Sequence, residues 1–154
     1  MTYKTNVMRI LDQMKIDYKS YSYEDTDAVS GKEVAEVLGL DECQMFKTRV
    51  TVGKSGENYV FLVPVSGELD LKKAAKAVGE KSIQMIKSKD LLPLTGYVHG
   101  GCSPIGMKKE LPIIIDQSKQ GFKTIIFNGG KIGYQIEMEL EDLKKVINFK
   151  IDNI

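Results

Sequence analysis

The apolar positions of the chain recur with two different periods, and each period predicts a different kind of element. Val7, Ile10, Leu11 and Met14 stand at helical spacing, which predicts an amphipathic helix over about residues 4–15. Other helices are predicted where end signals flank an apolar face. They are a helix between Ser30 and Gly39 with Glu33 at the capping-box position, a helix from Asp70 to Gly79, and a last helix in LEDLKKVI.

Strand signals fill the segments between these helices. The predicted strands alternate in polarity or are rich in β-branched and aromatic residues, and turn residues bound them. They are YKSYSYE (18–24), MFKTRVTV (45–52), YVFLVPV (59–65), LPIIID (111–116) and the two arms of FKTIIFNGGKIGYQIEM (122–138), a hairpin that turns at Asn128-Gly129-Gly130.

Composition restricts the class of protein and of partner. Hydrophobic residues at 42% and charged residues at 28% are ordinary for a globular protein, and no linker or repeat interrupts the pattern, so we expect one domain over residues 1–154. A net charge of +1 gives no general attraction to nucleic acid. The two cysteines indicate no disulfide framework and favour a reducing cytoplasm. No apolar run approaches the roughly 20 residues that span a bilayer, so no membrane partner is expected.

Residues that could carry chemistry concentrate in HGGCSPIGMKK, which covers positions 99–109. His99 and Cys102 are three positions apart, a spacing that permits a Cys-His dyad without specifying one. Cys43 adds at most a third soft ligand for zinc, without the paired Cys-x-x-Cys spacing of such sites. We therefore expect no metal, and a small packed thiol is the simpler interpretation of Cys102.

The glycines of the same loop leave three other interpretations open. Successive amides can form an anion nest, although the loop lacks the Gly-Lys-Ser/Thr ending of a phosphate loop. Gly100, Gly101 and Pro104 can instead form a backbone device that aims N–H groups at a carbonyl oxygen or an oxyanion. The third interpretation is a tight connection between strands.

Lys47 lies in the apolar, strand-like segment QMFKTRV. Strand alternation places it on the same face as Arg49 and opposite Phe46 and Thr48. Its side chain either snorkels to solvent or presents a cation at a pocket wall to a phosphate or a developing oxyanion.

The sequence contains four distinctive blocks: FKT (46–48), GELDLKKAAKAVG (67–79), TGYVHGGCSPIGMKKELPIIID (95–116) and GGKIGYQIE (129–137). Together they resemble the YbaK/EbsC family of free-standing editing proteins, which are related to the editing domain of bacterial prolyl-tRNA synthetases. The resemblance covers the chain from about Thr5 to Ile147. It implies an α+β fold, with a mixed, partly barrel-like sheet flanked by helices. It also implies a deacylase that removes cysteine from Cys-tRNA(Pro) and Cys-tRNA(Cys) without a cofactor.

The resemblance also implies the site residues and a mechanism. Lys47 matches the family's catalytic lysine, and the thiol of the bound cysteine attacks its own carbonyl carbon to give a thiolactone. Gln135 stands where the best-known members carry an acid, and Asn128 where they carry a small hydroxyl residue, which bears on amino-acid specificity. The implied substrate-binding residues are Tyr23, Thr48, Gly100, Gly101, Pro104, Asn128, Gly129 and Gln135.

The implied partner is the acceptor end of an aminoacyl-tRNA, presented by a prolyl-tRNA synthetase in a ternary complex; no DNA partner is expected. Local lysine clusters are the candidate RNA contacts, and at least one is expected to be ordinary solvated surface. Two alternatives remain: removal of another small residue such as alanine from tRNA(Pro) by an activated water, and a non-catalytic module that binds an aminoacyl or nucleotide end. The clusters are Lys72-Lys73-Lys76, Lys108-Lys109 and Lys144-Lys145.

Overall fold

The structure is a computed structural model that describes residues 3–119 and 123–154. Its helices and strands alternate irregularly along the chain. The helices are α1 (Asn6–Gln13), α2 (Gly31–Leu38), α3 (Leu71–Val78), α4 (Ser88–Thr95) and α5 (Leu140–Val146), with a 3-10 turn at Gln117–Lys119. The strands are β1 (Lys19–Ser22), β2 (Phe46–Gly53), β3 (Asn58–Pro64), β4 (Ile83–Met85), β5 (Ile113–Asp116), β6 (Thr124–Asn128), β7 (Tyr134–Glu139) and β8 (Lys150–Asp152).

Local end signals explain why the predicted helices form where they do. At α2, the Glu33 amide donates to Ser30 Oγ at 3.2 Å, and the Ser30 amide donates back to Glu33 Oε1 at 3.0 Å. Asp70 caps α3 by accepting from two amides of its first turn. The helix expected over 4–15 is confirmed over Asn6–Gln13. Phe122, in the first arm of the predicted second hairpin, lies outside the described residues.

Eight strands form two sheets in the described part of the chain. One is antiparallel with the order β1-β7-β6, and the other is mixed with the order β4-β2-β3-β5-β8. The pairs β3–β5 and β5–β8 are parallel. The α+β class is confirmed. The strands do not close into a barrel within these residues, because the only strand pairing between the two sheets is an isolated parallel bridge between Met45 and Ile126.

The junction between the sheets positions the site. The side chain of Gln44 donates to Thr124 Oγ1 at 2.7 Å, and the main-chain carbonyl oxygen of Gln44 accepts from the Ile126 amide at 3.1 Å. These bonds anchor the residues just before β2 to β6. Beneath the junction, the largest apolar cluster contains buried side chains from both sheets, among them Phe46 and Phe127. The beginning of β2 therefore lies beside the β6–β7 hairpin.

No helix among the described residues has the length and apolar character needed to cross a membrane. The expectation of one domain over residues 1–154 stays a prediction.

Candidate functional site

A cavity of about 410 Å³ opens where the two sheets meet. Its wall combines the beginning of β2, the N-terminal end of α2, the β4–α4 segment, the glycine loop and the facing ends of β6 and β7. These segments are far apart in sequence, and the fold brings them together. The predicted site residues on this wall are Tyr23, Lys47, Thr48, Gly100, Asn128 and Gln135.

Lys47 extends from β2 and does not snorkel into solvent, because its side chain is only 17% exposed. Its Nζ lies 3.0 Å from Oε1 of Glu68, a side chain that is 83% exposed. The hydrogen bond and charge of Lys47 hold the pKa of Glu68 below its ordinary value. The structure thus agrees with the second interpretation of Lys47, a cation held at a pocket wall.

Thr48 and Gln135 present polar atoms that the described residues leave unsatisfied. Thr48 Oγ1 and Gln135 Oε1 are both buried, and neither finds a hydrogen-bond partner in that part of the chain. Such a buried orphan atom costs on the order of 1–3 kcal/mol. Both side chains line the cavity. A ligand with a complementary polar group can satisfy them, Gln135 as an acceptor and Thr48 as a donor or an acceptor.

Asn128 holds the glycine loop in place rather than presenting a free amide. Its Nδ2 donates to the Gly100 carbonyl oxygen at 2.9 Å, while its Oδ1 accepts from the amides of Gly130 at 2.7 Å and Lys131 at 3.2 Å. The predicted substrate-binding residue therefore lies on the wall, but its hydrogen bonds fix Gly100 against the β6–β7 turn.

Three predicted substrate-binding residues do not line the cavity. The Gly101 amide donates to the Val98 carbonyl oxygen at 3.0 Å, so it is already engaged, and a Cβ at Gly101 would stand 2.9 Å from the Ile132 amide nitrogen. Gly129 donates to Tyr134 and closes the hairpin. Pro104 lines a separate cavity beside α5. These residues shape the loops around the site. Their positions do not favour direct contact with substrate.

Cys102 and His99 both line the cavity, but the thiol is not poised as a nucleophile. Burial raises the pKa of Cys102 to about 12, so the sulfur stays protonated at neutral pH. Over residues 3–119 and 123–154, no three His, Cys, Asp or Glu side chains converge into a cluster that could hold a metal ion.

Several wall residues were not predicted from the sequence. Lys32 and Glu68 are charged members of this group, while Met85, Ile86 and Leu91 form an apolar part contributed by β4 and α4. Arg49 also lines the cavity, but so do Phe46 and Thr48, which alternation places on the other face of the strand. Glu68 lies in the GELDLKK block, but no local pattern indicates its contact with Lys47.

This α+β fold and its polar cavity belong to an aminoacyl-tRNA editing domain, because the sequence pattern of that family matches residues 25–146. The chain belongs to this family, as the four sequence blocks indicated. It is 45% identical to the "Putative Cys-tRNA(Pro)/Cys-tRNA(Cys) deacylase EbsC" of Enterococcus faecalis, over 94% of this chain and 89% of that protein.

Two more distant similarities extend the comparison. A proline–tRNA ligase of Thermosipho melanesiensis is 30% identical over 71% of this chain, which matches only 19% of the ligase. The crystal structure of "a putative trans-editing enzyme for prolyl tRNA synthetase" superposes with a TM-score of 0.81 at 23% identity, covering 99% of this chain and 98% of the other. At that identity the superposition establishes the shared fold.

Proposed function

We propose that this chain is a trans-editing deacylase that removes cysteine from Cys-tRNA(Pro) and Cys-tRNA(Cys). One observation carries the proposal: a mostly buried cation, Lys47, lies on the same cavity wall as two buried oxygen atoms that lack partners in the described chain. This combination suits a small polar aminoacyl group attached to an anionic RNA end. The similarity to a relative named for this activity supports the same substrate.

Each wall residue has a definite task in this proposal. Lys47 contacts the phosphate or sugar of the terminal nucleotide and holds the ester in an attack geometry. Gln135 Oε1 accepts a hydrogen bond from the ammonium group of the aminoacyl moiety, and the Thr48 hydroxyl makes a second polar contact. Asn128 keeps Gly100 in place beside the ester, and Tyr23 closes the wall.

The substrate supplies the nucleophile in the proposed reaction. Its thiol sulfur bonds to the carbonyl carbon, the bond from that carbon to the ribose oxygen breaks, and the thiol proton ends on the released oxygen. The products are a cyclic thiolactone and free tRNA. This route needs no nucleophile from the chain, which is compatible with the high pKa of Cys102.

Delivery of the tRNA belongs to the proposal as well. With a net charge of +1 the chain has little general affinity for RNA. Lys144 and Lys145 form ion pairs with Glu141 and Asp142 on their own helix, so this cluster behaves as solvated surface. We therefore expect a prolyl-tRNA synthetase to present the acceptor end in a ternary complex, in the cytoplasm where translation takes place.

The first test is deacylation of three substrates by the purified protein: Cys-tRNA(Pro), Ala-tRNA(Pro) and Cys-tRNA(Pro) with an alkylated thiol. Cleavage of the free-thiol substrate alone, with a thiolactone product identified by mass spectrometry, is the expected result. Equal cleavage of the three substrates would contradict the thiolactone route and indicate an activated water.

Replacing Lys47 tests the assigned cation. Lys47→Ala should lower kcat/KM by about 100-fold or more, because the ester loses its positioning contact. Lys54→Ala removes the same charge from the far end of the β2–β3 hairpin and should leave kcat/KM unchanged. A Lys47→Ala protein with full activity would overturn the assigned role, and one that changes only RNA affinity would indicate a binding module.

A further inference from the structure

The mouth of the cavity concentrates positive charge around one carboxylate. Lys32, Lys47 and Arg49 line the cavity, and Glu68 is the single acid among the lining residues that the structure describes. Lys47 bonds directly to Glu68, and the charges of Arg49 and Lys32 lower the pKa of Glu68 further. Within the same residues neither Arg49 nor Lys32 forms an ion pair of its own. Three cations therefore share one anion.

The two partners of the ion pair differ in how firmly they are held. The Lys47 side chain is 17% exposed and lies on a central strand, whereas the Glu68 side chain is 83% exposed. An ion pair with such an exposed member contributes little to stability. Lys47 is thus a fixed part of the cavity wall. The Glu68 carboxylate beside it is held only weakly.

The backbone around Glu68 is anchored on both sides. The Ser66 amide donates to the Glu42 carbonyl oxygen, and the Gly67 amide donates to that of Pro64. On the other side, the Asp70 amide donates to the Ile154 carbonyl oxygen. Because these bonds hold the loop, the Glu68 carboxylate can leave Lys47 by rotation of its own side chain, without opening of the loop.

We propose that the Glu68 carboxylate occupies, in the free protein, the position of a phosphodiester of the RNA acceptor end, and that this phosphate displaces it from Lys47. Arg49 and Lys32 then become additional phosphate contacts at the mouth. The inference rests on the proposed function, since it takes RNA as the ligand. Its consequence is selectivity: free amino acids and small esters, which carry no phosphate, do not release Lys47 from Glu68.

Binding of an uncharged acceptor-stem RNA hairpin ending in CCA, followed by fluorescence anisotropy, tests the exchange. Glu68→Gln should tighten binding about threefold to fivefold, because the competing carboxylate is worth up to about 1 kcal/mol. Glu57→Gln changes the net charge equally in the β2–β3 hairpin loop and should alter affinity by less than a factor of about two. Unchanged or weaker binding by Glu68→Gln, or no binding by any variant, would overturn the proposal.

A second pair of variants tests the additional contacts. Arg49→Gln should weaken binding of the same hairpin and reduce the slope of log affinity against log salt by about one, as expected for a lost phosphate contact. Lys54→Gln serves as the charge-matched control and should change neither quantity. An Arg49→Gln protein with wild-type affinity and salt dependence would remove Arg49 from the proposed site.

Kinetics separate an exchanged carboxylate from one that positions Lys47. With acylated tRNA, Glu68→Gln should lower KM and leave kcat unchanged. A fall in kcat with unchanged affinity for the hairpin would instead make Glu68 a support for Lys47 and contradict the exchange. The binding measurements use RNA without an ester, so they test Glu68 even if the wild-type protein fails to deacylate Cys-tRNA(Pro), a result that would refute the proposed function alone.

Discussion

Thr48 and Gln135 each carry a buried oxygen atom that no described residue satisfies, and both line the cavity. Because the free energy of unfolding of a typical protein is only about 5–15 kcal/mol, each such atom lowers it by a noticeable fraction. Replacement by an apolar residue of the same shape removes the cost without leaving a void. We therefore attribute the presence of these two polar side chains to a binding site for a polar ligand.

Thr48→Val separates stability from activity. Because the lost hydroxyl has no partner in the described protein, the free energy of unfolding should stay constant or rise by about 1 kcal/mol, while kcat/KM falls about tenfold through a lost substrate contact. Thr51→Val is the matched control on the same strand. The Thr51 hydroxyl donates to the Tyr59 carbonyl oxygen at 3.0 Å, so its loss should reduce stability and spare activity. Urea denaturation and deacylation kinetics measure both, and a fully active Thr48→Val protein would contradict the assigned contact.

The two cysteines should differ in reactivity. Cys43 is exposed, whereas Cys102 is buried and its pKa is raised to about 12. Since the thiolate is the reactive form, iodoacetamide at pH 8 should label Cys43 and leave Cys102 unmodified in the folded protein. Peptide mass spectrometry after brief labelling gives the answer, and denatured protein provides the control in which both residues react. Preferential labelling of Cys102 would show that its thiol is activated.

Between elements, Asn128 connects the glycine loop to the β6–β7 turn through three hydrogen bonds. Asn128→Ala should destabilise the protein by about 2 kcal/mol and lower kcat/KM strongly, because Gly100 loses its fixed position. Asn58→Ala removes a hydrogen bond of 3.1 Å to the Thr51 carbonyl oxygen and should reduce stability while leaving activity intact. Equal loss of activity in the two variants would refute a specific positioning role for Asn128.

Local signals explain which elements could be predicted from the sequence. The helices α2 and α3 have capping side chains at Ser30 and Asp70, and glycines end them, so their limits are set by nearby residues. The helix α4 was missed because it starts without a side-chain cap and contains Pro93. The strands β4 and β8 have three residues each, too few to show a period, and they form by pairing with strands far away in sequence.

For the site, as for the fold, the sequence indicated features that depend on nearby residues and missed those that depend on contacts between distant elements. Lys47 is conspicuous in the sequence as a cation within an apolar strand, and the resemblance added Thr48 and Gln135. The sequence does not show that these two oxygen atoms are buried without partners among the described residues, or that Glu68 contacts Lys47. Both facts depend on contacts between elements that are far apart in the chain. The resemblance also assigned substrate contact to Gly101, whose amide is bonded within its own loop. The role of each of these residues depends on its hydrogen-bond partners in the folded protein, and the pattern of residues along the sequence does not identify those partners.

At the scale of the whole molecule, a half-buried polar network links the sheets. Tyr21 donates to Glu137 Oε1 at 2.7 Å, Thr124 donates to Oε2 at 2.6 Å, and Gln44 donates in turn to Thr124. Partial burial raises the pKa of Glu137, but the hydrogen bonds from Thr124 and Tyr21 outweigh it and keep the pKa below its ordinary value of 4.5. A carboxylate with a depressed pKa stabilises the fold above its unfolded-state pKa, and this contribution is lost as the pH falls through the folded-state pKa.

Glu137→Gln should therefore change the pH dependence of stability. At pH 7 the free energy of unfolding should fall by about 1–2 kcal/mol, because the charged acceptor of two hydrogen bonds is lost. Below pH 4.5 the difference between wild type and variant should shrink, as wild-type Glu137 becomes protonated. Urea unfolding at pH 7, 4.5 and 3.5 measures the difference, with Glu57→Gln as the exposed control. A difference that is constant with pH would contradict the assigned linkage.

The order of the strands in the antiparallel sheet also has a consequence for how the protein is made. Tyr21 of β1 and its partner Glu137 of β7 are 116 residues apart, and β6 and β7 complete the sheet. Closing so long a loop slows folding, since its entropy is lost before the contacts form. During synthesis β1 cannot pair with β7 until the ribosome has added more than 100 further residues. The cavity, whose wall needs Gln135, therefore forms late, after Lys47 and its strand have left the ribosome.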